Sequence, residues 1–153
     1  MRRKEREIKD KAEIESIINK ASVCRLAMTD GKQPYLVPLC FGYKDNALYF
    51  HSAREGKKLD ILRKNNNVCF EFDTDHELVA SENACDWGMK YRSVIGYGTA
   101  SLLDEPESKE KALEIILEHY SAKGPFSYRE KGFQKTMIIK VDIESMTGKK
   151  AGY

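Results

Sequence analysis

The chain has 153 residues, 41% of them hydrophobic and 33% charged, with a formal net charge of +2. That length suits one domain with a real core, and the apolar content excludes a disordered or linker-like chain. The balance of 26 Lys plus Arg against 24 Asp plus Glu gives no electrostatic case for nucleic acid or a membrane surface.

No stretch approaches the roughly 18 apolar residues that span a bilayer, and the first twenty residues are too polar for a secretory signal. Cys24, Cys40, Cys69 and Cys85 lie in separate segments without CxxC spacing. They read as reduced thiols of a cytoplasmic protein, not as a metal site or a disulfide framework. The basic run Met1-Arg2-Arg3-Lys4 is interrupted at once by Glu5 and Glu7 and reads as a solvated end. Residues 1–153 are taken as one domain, with 1–8 a flexible or partner-contacting N-terminus.

Ile14, Ile17 and Ile18 recur at helical spacing and predict a short amphipathic helix over 10–20. Residues 23–29 read as a strand stopped by the turn dipeptide Asp30-Gly31. Tyr35, Val37, Leu39, Phe41 and Tyr43 alternate as one long strand, and 47–52 return as the next. A helix over 55–65 carries Leu59 and Leu62, and Val68, Phe70 and Phe72 mark a strand over 66–73. Residues 74–86 read as a polar loop, and 91–103 as the longest strand. Asp104-Glu105-Pro106 opens a helix with the stripe Leu113, Ile116, Leu117 and Tyr120, which ends by Gly124-Pro125. Met137, Ile139, Val141 and Ile143 alternate in a last strand. The count is about six strands and three helices. Short connections favour antiparallel pairing, so the expected class is α+β, mainly β: a barrel-like sheet with peripheral helices.

Two segments invite chemistry. In residues 49–58 a strand ends in His51-Ser52 and runs into a helix whose first turn carries Gly56, Lys57 and Lys58. Helix N-termini expose unpaired N–H groups and partial positive charge, a setting for phosphate. The plainer alternative is a strand–helix connection capped by Ser52 with two solvated lysines. In the strand over 91–103, Gly96 and Gly98 share one face. That bare track suits close approach of a flat ligand or neighbouring backbone; equally, it suits strong curvature of a barrel strand. Asp73, Asp75, His76 and Glu77 read as a solvated loop without a metal, Cys85 as a structural cysteine, and neither His76 nor His119 is assigned a role.

The stretches 34–43 and 48–53, then Gly56-Lys57-Lys58, resemble the pyridoxamine-phosphate-oxidase-like flavoproteins. Cys85-Asp86-Trp87, residues 91–96 and the tail Met146-Thr147-Gly148-Lys149 are similar to the nitroimidazole-resistance branch of that family. The resemblance runs in order from about residue 2 to 149. It implies a split β-barrel homodimer that binds FMN at two sites built by both subunits. Carried over, Pro38, Leu39, Cys40 and Phe41 pass beside the isoalloxazine ring, mostly through backbone. His51 and Ser52 match the strand-end pair near the flavin, and Lys57 and Lys58 the basic pair on its phosphate. Tyr91, Arg92 and Ser93 match a strand contributed by the partner. The oxidases of vitamin B6 carry a further C-terminal segment with a tryptophan and an arginine. The one tryptophan here is Trp87, so that activity is not expected.

Two functions follow from the resemblance. One is an FMN-dependent oxidoreductase that reduces a small electrophile such as a 5-nitroimidazole, with His51 as proton donor, a task that suits an imidazole. The other is a non-catalytic binder of FMN, a deazaflavin or haem, in which His51 only touches the cofactor.

Overall fold

The computed structural model of the protein describes residues 3–153. A 3-10 turn (Lys4–Arg6) leads into strand β1 (Glu7–Ile8) and helix α1 (Lys11–Lys20). Asp10 caps α1, its carboxylate accepting from the Ala12 N–H at 3.0 Å, and Ile14, Ile17 and Ile18 face the core. Then come β2 (Cys24–Thr29), β3 (Pro34–Leu39), β4 (Gly42–Lys44), β5 (Ala47–Ala53) and α2 (Lys57–Lys64). The long hairpin of β6 (Asn67–Val79) and β7 (Gly88–Leu103) precedes α3 (Pro106–His119), α4 (Glu130–Lys135) and β8 (Thr136–Ala151).

The strands form one sheet in the order β3-β2-β6-β7-β8-β5-β4, with β1 added on β8 and every pair antiparallel. The two ends of that path, β3 and β4, are consecutive in the chain and joined only by Cys40 and Phe41. The sheet therefore curls into a barrel with a seam that no strand ladder crosses: a split-barrel α+β fold. Phe50, Phe70, Phe72, Leu26 and Ile139 fill its interior and are fully buried. No helix among the described residues is long and apolar enough to cross a membrane.

Several boundaries differ from those expected. The single strand over 35–43 is broken at Cys40–Phe41. Phe41 is drawn inward, its ring centroid 4.8 Å from that of Phe72 and 4.1 Å from that of His119. Its N–H bonds the Tyr120 hydroxyl at 3.2 Å. Just after the break, α3 lies so close that a methyl at Gly42 would come within 2.7 Å of the Ile115 backbone.

The loop expected over 74–86 is largely strand. β6 continues to Val79 against β7, which starts at Gly88, with the register shifting between Thr74 and Glu77. Its charged residues persist there because each finds an opposite charge: Arg25 with Glu71 and Asp73, Lys20 and Arg92 with Asp75, Lys90 with Glu77. β8 likewise runs past Ile143 to Ala151. With β1, β4 and α4 the described residues form eight strands and four α-helices.

Nor is the N-terminus loose up to residue 8. Glu7 and Ile8 pair with Lys149 and Gly148, and the Ile8 side chain is buried in the core. Met1 and Arg2, the start of the basic run, lie outside the described residues.

Candidate functional site

Strand alternation sends consecutive residues of β5 to opposite sides. Phe50 and Ser52 face the barrel interior, while His51 is exposed on the other face. Ser52 is the last inward position of the strand. Its hydroxyl is buried and has no hydrogen-bond partner in the protein. Leaving such a group unpaired costs about 1–3 kcal/mol.

Helix α2 begins five residues later, at Lys57, and Gly56, not Ser52, is its cap. Gly56 has φ +129° and no side-chain cap, and its surroundings are open. The first helical bonds run from the Leu59 and Asp60 N–H groups to the Gly56 carbonyl at 2.9 and 3.1 Å. The Lys57 and Lys58 N–H groups thus lack helical partners. Lys57 is exposed, its Nζ 4.6 Å from the centroid of the Tyr35 ring on β3, and Lys58 is half-buried. An unpaired hydroxyl, free N–H groups and two ammonium groups at one strand–helix junction suit the phosphate of a cofactor such as FMN.

The residues matched to the flavin ring divide. Pro38 and Cys40 are exposed, Leu39 packs partly against the core, and Phe41 is buried. Of the partner-strand residues, Tyr91 and Ser93 lie on the same face of β7 as exposed Ile95 and Tyr97. Arg92 points the opposite way, where its Nη1 donates to Asp75 Oδ2 at 2.9 Å and its guanidinium stacks 4.0 Å from the Tyr153 ring centroid. It is held by its own chain.

The bare glycine track is closed. A methyl at Gly96 would overlap the ring of Phe70, and one at Gly98 would overlap the Asp142 carbonyl of β8. The β7–β8 register shifts between Tyr97 and Gly98. The glycines therefore serve core packing and curvature, and the flat-ligand reading of this track is overturned.

His51 opens onto a different feature, a cavity of about 620 Å³. Its walls are mainly apolar, with Leu113, Ile116 and Leu117 from α3, Phe126 and Tyr128 from the following segment, and Phe133 from α4. Ser127 and Thr136 also line it, as does Arg129, which is exposed. The Tyr128 hydroxyl is the other buried, unpartnered side-chain group among the described residues. Burial, then the nearby Glu114 and Glu110 carboxylates, push its phenol above the ordinary value.

A cluster of charges fastens the cavity wall. The Lys109 ammonium is buried and donates to Asp104 Oδ1 at 2.9 Å and to the Phe133 carbonyl at 3.2 Å. Arg54 donates to both Asp104 oxygens and, at 3.0 Å, to the Gln134 carbonyl. These two cations hold the Asp104 carboxyl well below the usual carboxylate range.

The sequence reading did not reach Arg54, Asp104, Lys109, Tyr128 or Phe133. A signal existed: Lys109 falls at helical spacing with Ala112 and Ile116, a charge on the apolar stripe that needs a buried partner. Of the unassigned histidines, His76 pairs with Asp73 at 2.7 Å, and His119 Nε2 bonds the Ala21 carbonyl at 2.8 Å.

Comparison with known proteins places this geometry. A family model described as pyridoxamine 5'-phosphate oxidase matches residues 10–150. A search of curated proteins found no match. Among solved structures, the chain is similar to a candidate 5-nitroimidazole antibiotic resistance protein from Bacteroides thetaiotaomicron, with 40% identity and a TM-score of 0.83 over 94% of this chain and 85% of that one. An FAD-binding protein from Mesorhizobium loti shares the fold at 24% identity and TM-score 0.71, covering 96% of this chain and 98% of that one. An FAD and haem binding protein from Mycobacterium smegmatis shares it at 16% identity and TM-score 0.84, covering 97% and 74%. With the fold, the phosphate-suited junction and a match over nearly its whole length, the chain belongs to the pyridoxamine 5'-phosphate oxidase family.

Proposed function

We propose that the protein is a homodimeric FMN-binding oxidoreductase that reduces a small electrophile such as a nitroaromatic compound, 5-nitroimidazoles included. The observation that carries the cofactor is the buried, unpartnered Ser52 hydroxyl at the junction with a helix that starts Gly56-Lys57-Lys58. Ser52, the two lysines and their N–H groups hold the phosphate. When bound, FMN supplies reversible electron transfer. The substrate class is supported by the similarity to the Bacteroides protein of candidate 5-nitroimidazole resistance.

The chain's own part is placement and proton supply. Side chains of α3 and α4 give the cavity beside β5 a mainly apolar lining. His51 stands at that cavity, where its imidazole can hand a proton to an oxygen of the bound electrophile. The dimer is supported by an unusual outer face. Leu36 is 56% exposed, Ile95 46% and Tyr97 57%, in adjacent rows across β3, β2, β6 and β7. Tyr91 and Ser93 share that face and would reach the second copy there.

The test is an absorbance spectrum of the protein purified without added cofactor, followed anaerobically by NADH and then a 5-nitroimidazole. Flavin bands that bleach and recover are expected, from a species that sediments as a dimer. A bound flavin that no donor bleaches would convert the reading to a binder. A protein that also refuses added FMN would overturn the cofactor, and a monomer that retains full FMN affinity would overturn the shared site.

A further inference from the structure

β8 pairs with β7 only as far as Tyr91, and β2 pairs with β6 only from Val68 to Glu71. Residues 77–90 therefore project as a two-stranded arm, with no third strand beside it among the described residues. Such a ribbon is marginal in water unless its apolar side packs on something. This one holds Leu78 59% exposed, Trp87 52% and Met89 45%. The Trp87 indole N–H already donates to the Ser81 carbonyl at 2.5 Å, so the apolar ring is what the arm presents. Leu78 and Met89 are cross-strand partners, and Met89 shares the face of β7 that carries Tyr91, Ser93, Ile95 and Tyr97. The arm thus extends the outer face assigned above to the second copy.

The arm lies far from the cavity of its own chain. Leu103, Ile138 and His51 are in register across β7, β8 and β5, which puts the cavity at the Leu103 end of β7 while the arm leaves from the Gly88 end. About 50 Å of extended backbone separates the two ends. Ile95 and Tyr97 straddle the midpoint of that strand. A two-fold axis at this midpoint, running across the strand, lays the Gly88 end of one β7 over the Leu103 end of the other. The charges agree. Glu82 and Asp86 on the arm are exposed; Arg129 lines the cavity, and Lys131 and Lys135 adjoin lining residues and are exposed as well. None of these five has an ion-pair partner among the described residues.

We propose that in the homodimer the arm of each copy packs across the mouth of the other copy's His51 cavity, with Trp87 as the side chain that closes it. This inference rests on the homodimer of the proposed function and not on its flavin. Each cavity is then incomplete in a lone chain. β5, α3 and α4 supply its walls, and the second copy supplies its cover, held by Glu82 and Asp86 on the basic rim.

Trp87 is the single tryptophan of the chain, so its fluorescence reports the contact directly. The experiment dilutes flavin-free protein through its dimer–monomer equilibrium and follows sedimentation and tryptophan emission together. Emission should lie at shorter wavelength in the dimer and move to that of an exposed indole as monomer appears. Trp87→Ala should weaken the dimer by about thirtyfold or more, as for a buried aromatic anchor. Reversing the arm (Glu82→Lys with Asp86→Lys) or the rim (Arg129→Glu with Lys131→Glu) should each weaken it by about tenfold or more at low salt. Both reversals in one chain should restore it. A dimer that dissociates without changing Trp87 emission, or reversals that do not rescue one another, overturns the arm contact and leaves the homodimer standing. A monomer at every concentration overturns both. A dimer that buries Trp87 yet never takes up FMN upholds the arm contact and sinks the cofactor.

Discussion

Two glycine-bearing segments of this protein look alike in sequence and differ in what surrounds them. Gly96 in β7 has no room for a methyl, because the ring of Phe70 occupies the space its side chain would take. Gly56 before α2 has nothing around it, and its φ of +129° is the feature that demands glycine. The first glycine is a hole filled by the core; the second is a turn that leaves a helix start uncovered. Glycine by itself does not mark a ligand. Glycine beside free N–H groups, two lysines and an unpaired hydroxyl is the setting of the proposed phosphate site.

The sharpest way to break this comparison is to remove the charge from the open segment. Lys57→Ala with Lys58→Ala should weaken FMN by about 3 kcal/mol or more, from the loss of charge-assisted bonds. Riboflavin, which lacks the phosphate, should bind as before in fluorescence titrations; an equal loss for both ligands would move the phosphate elsewhere. In the closed segment, Gly96→Ala should destabilise the fold by about 2–3 kcal/mol in urea unfolding, the range for overpacking a dense core. Phe70→Leu in that background should restore part of the loss, and no loss at all would mean the Phe70 contact is slack. Gly56→Ala should cost about 1–2 kcal/mol through backbone conformation alone, with no matching rescue at any neighbour. The smallest effect is Ser52→Ala. It should leave the stability of the flavin-free protein unchanged or slightly higher, yet weaken FMN by about 1 kcal/mol. A clear fall in flavin-free stability would show that the hydroxyl already has a partner.

Much of this was legible in the sequence, and the gaps have physical causes. The alternation in β2, β5 and β6 shows because one face of each is core, and α1 and α3 carry apolar stripes. The extension of β6 past Asp73 was hidden because its acidic residues are matched by Lys20, Lys90 and Arg92 from other elements, which local composition does not reveal. The break at Cys40–Phe41 was hidden because Tyr35 to Tyr43 keeps its period of two, while Phe41 is captured by Phe72 and His119, distant in the chain. At the site, the lysines after Gly56 announced a helix start, but the opposite directions of His51 and Ser52 became useful only once each face had an address. Tyr128 and Phe133 lie in a segment without periodicity, and only the packing of α3 and α4 makes them neighbours.

The seam between β3 and β4 has a consequence for motion. One chain of side-chain bonds spans it: the Phe41 N–H to the Tyr120 hydroxyl, and that hydroxyl at 2.8 Å to the Ser22 carbonyl, beside the His119 bond to Ala21. Opening the barrel there breaks a few contacts at the end of α3 and no strand ladder, so it is a sub-global event well below the free energy of unfolding. The Phe41 amide should exchange its hydrogen faster than the amides of central β6 and β7. In such an opening the C-terminal turn of α3 would be the clasp.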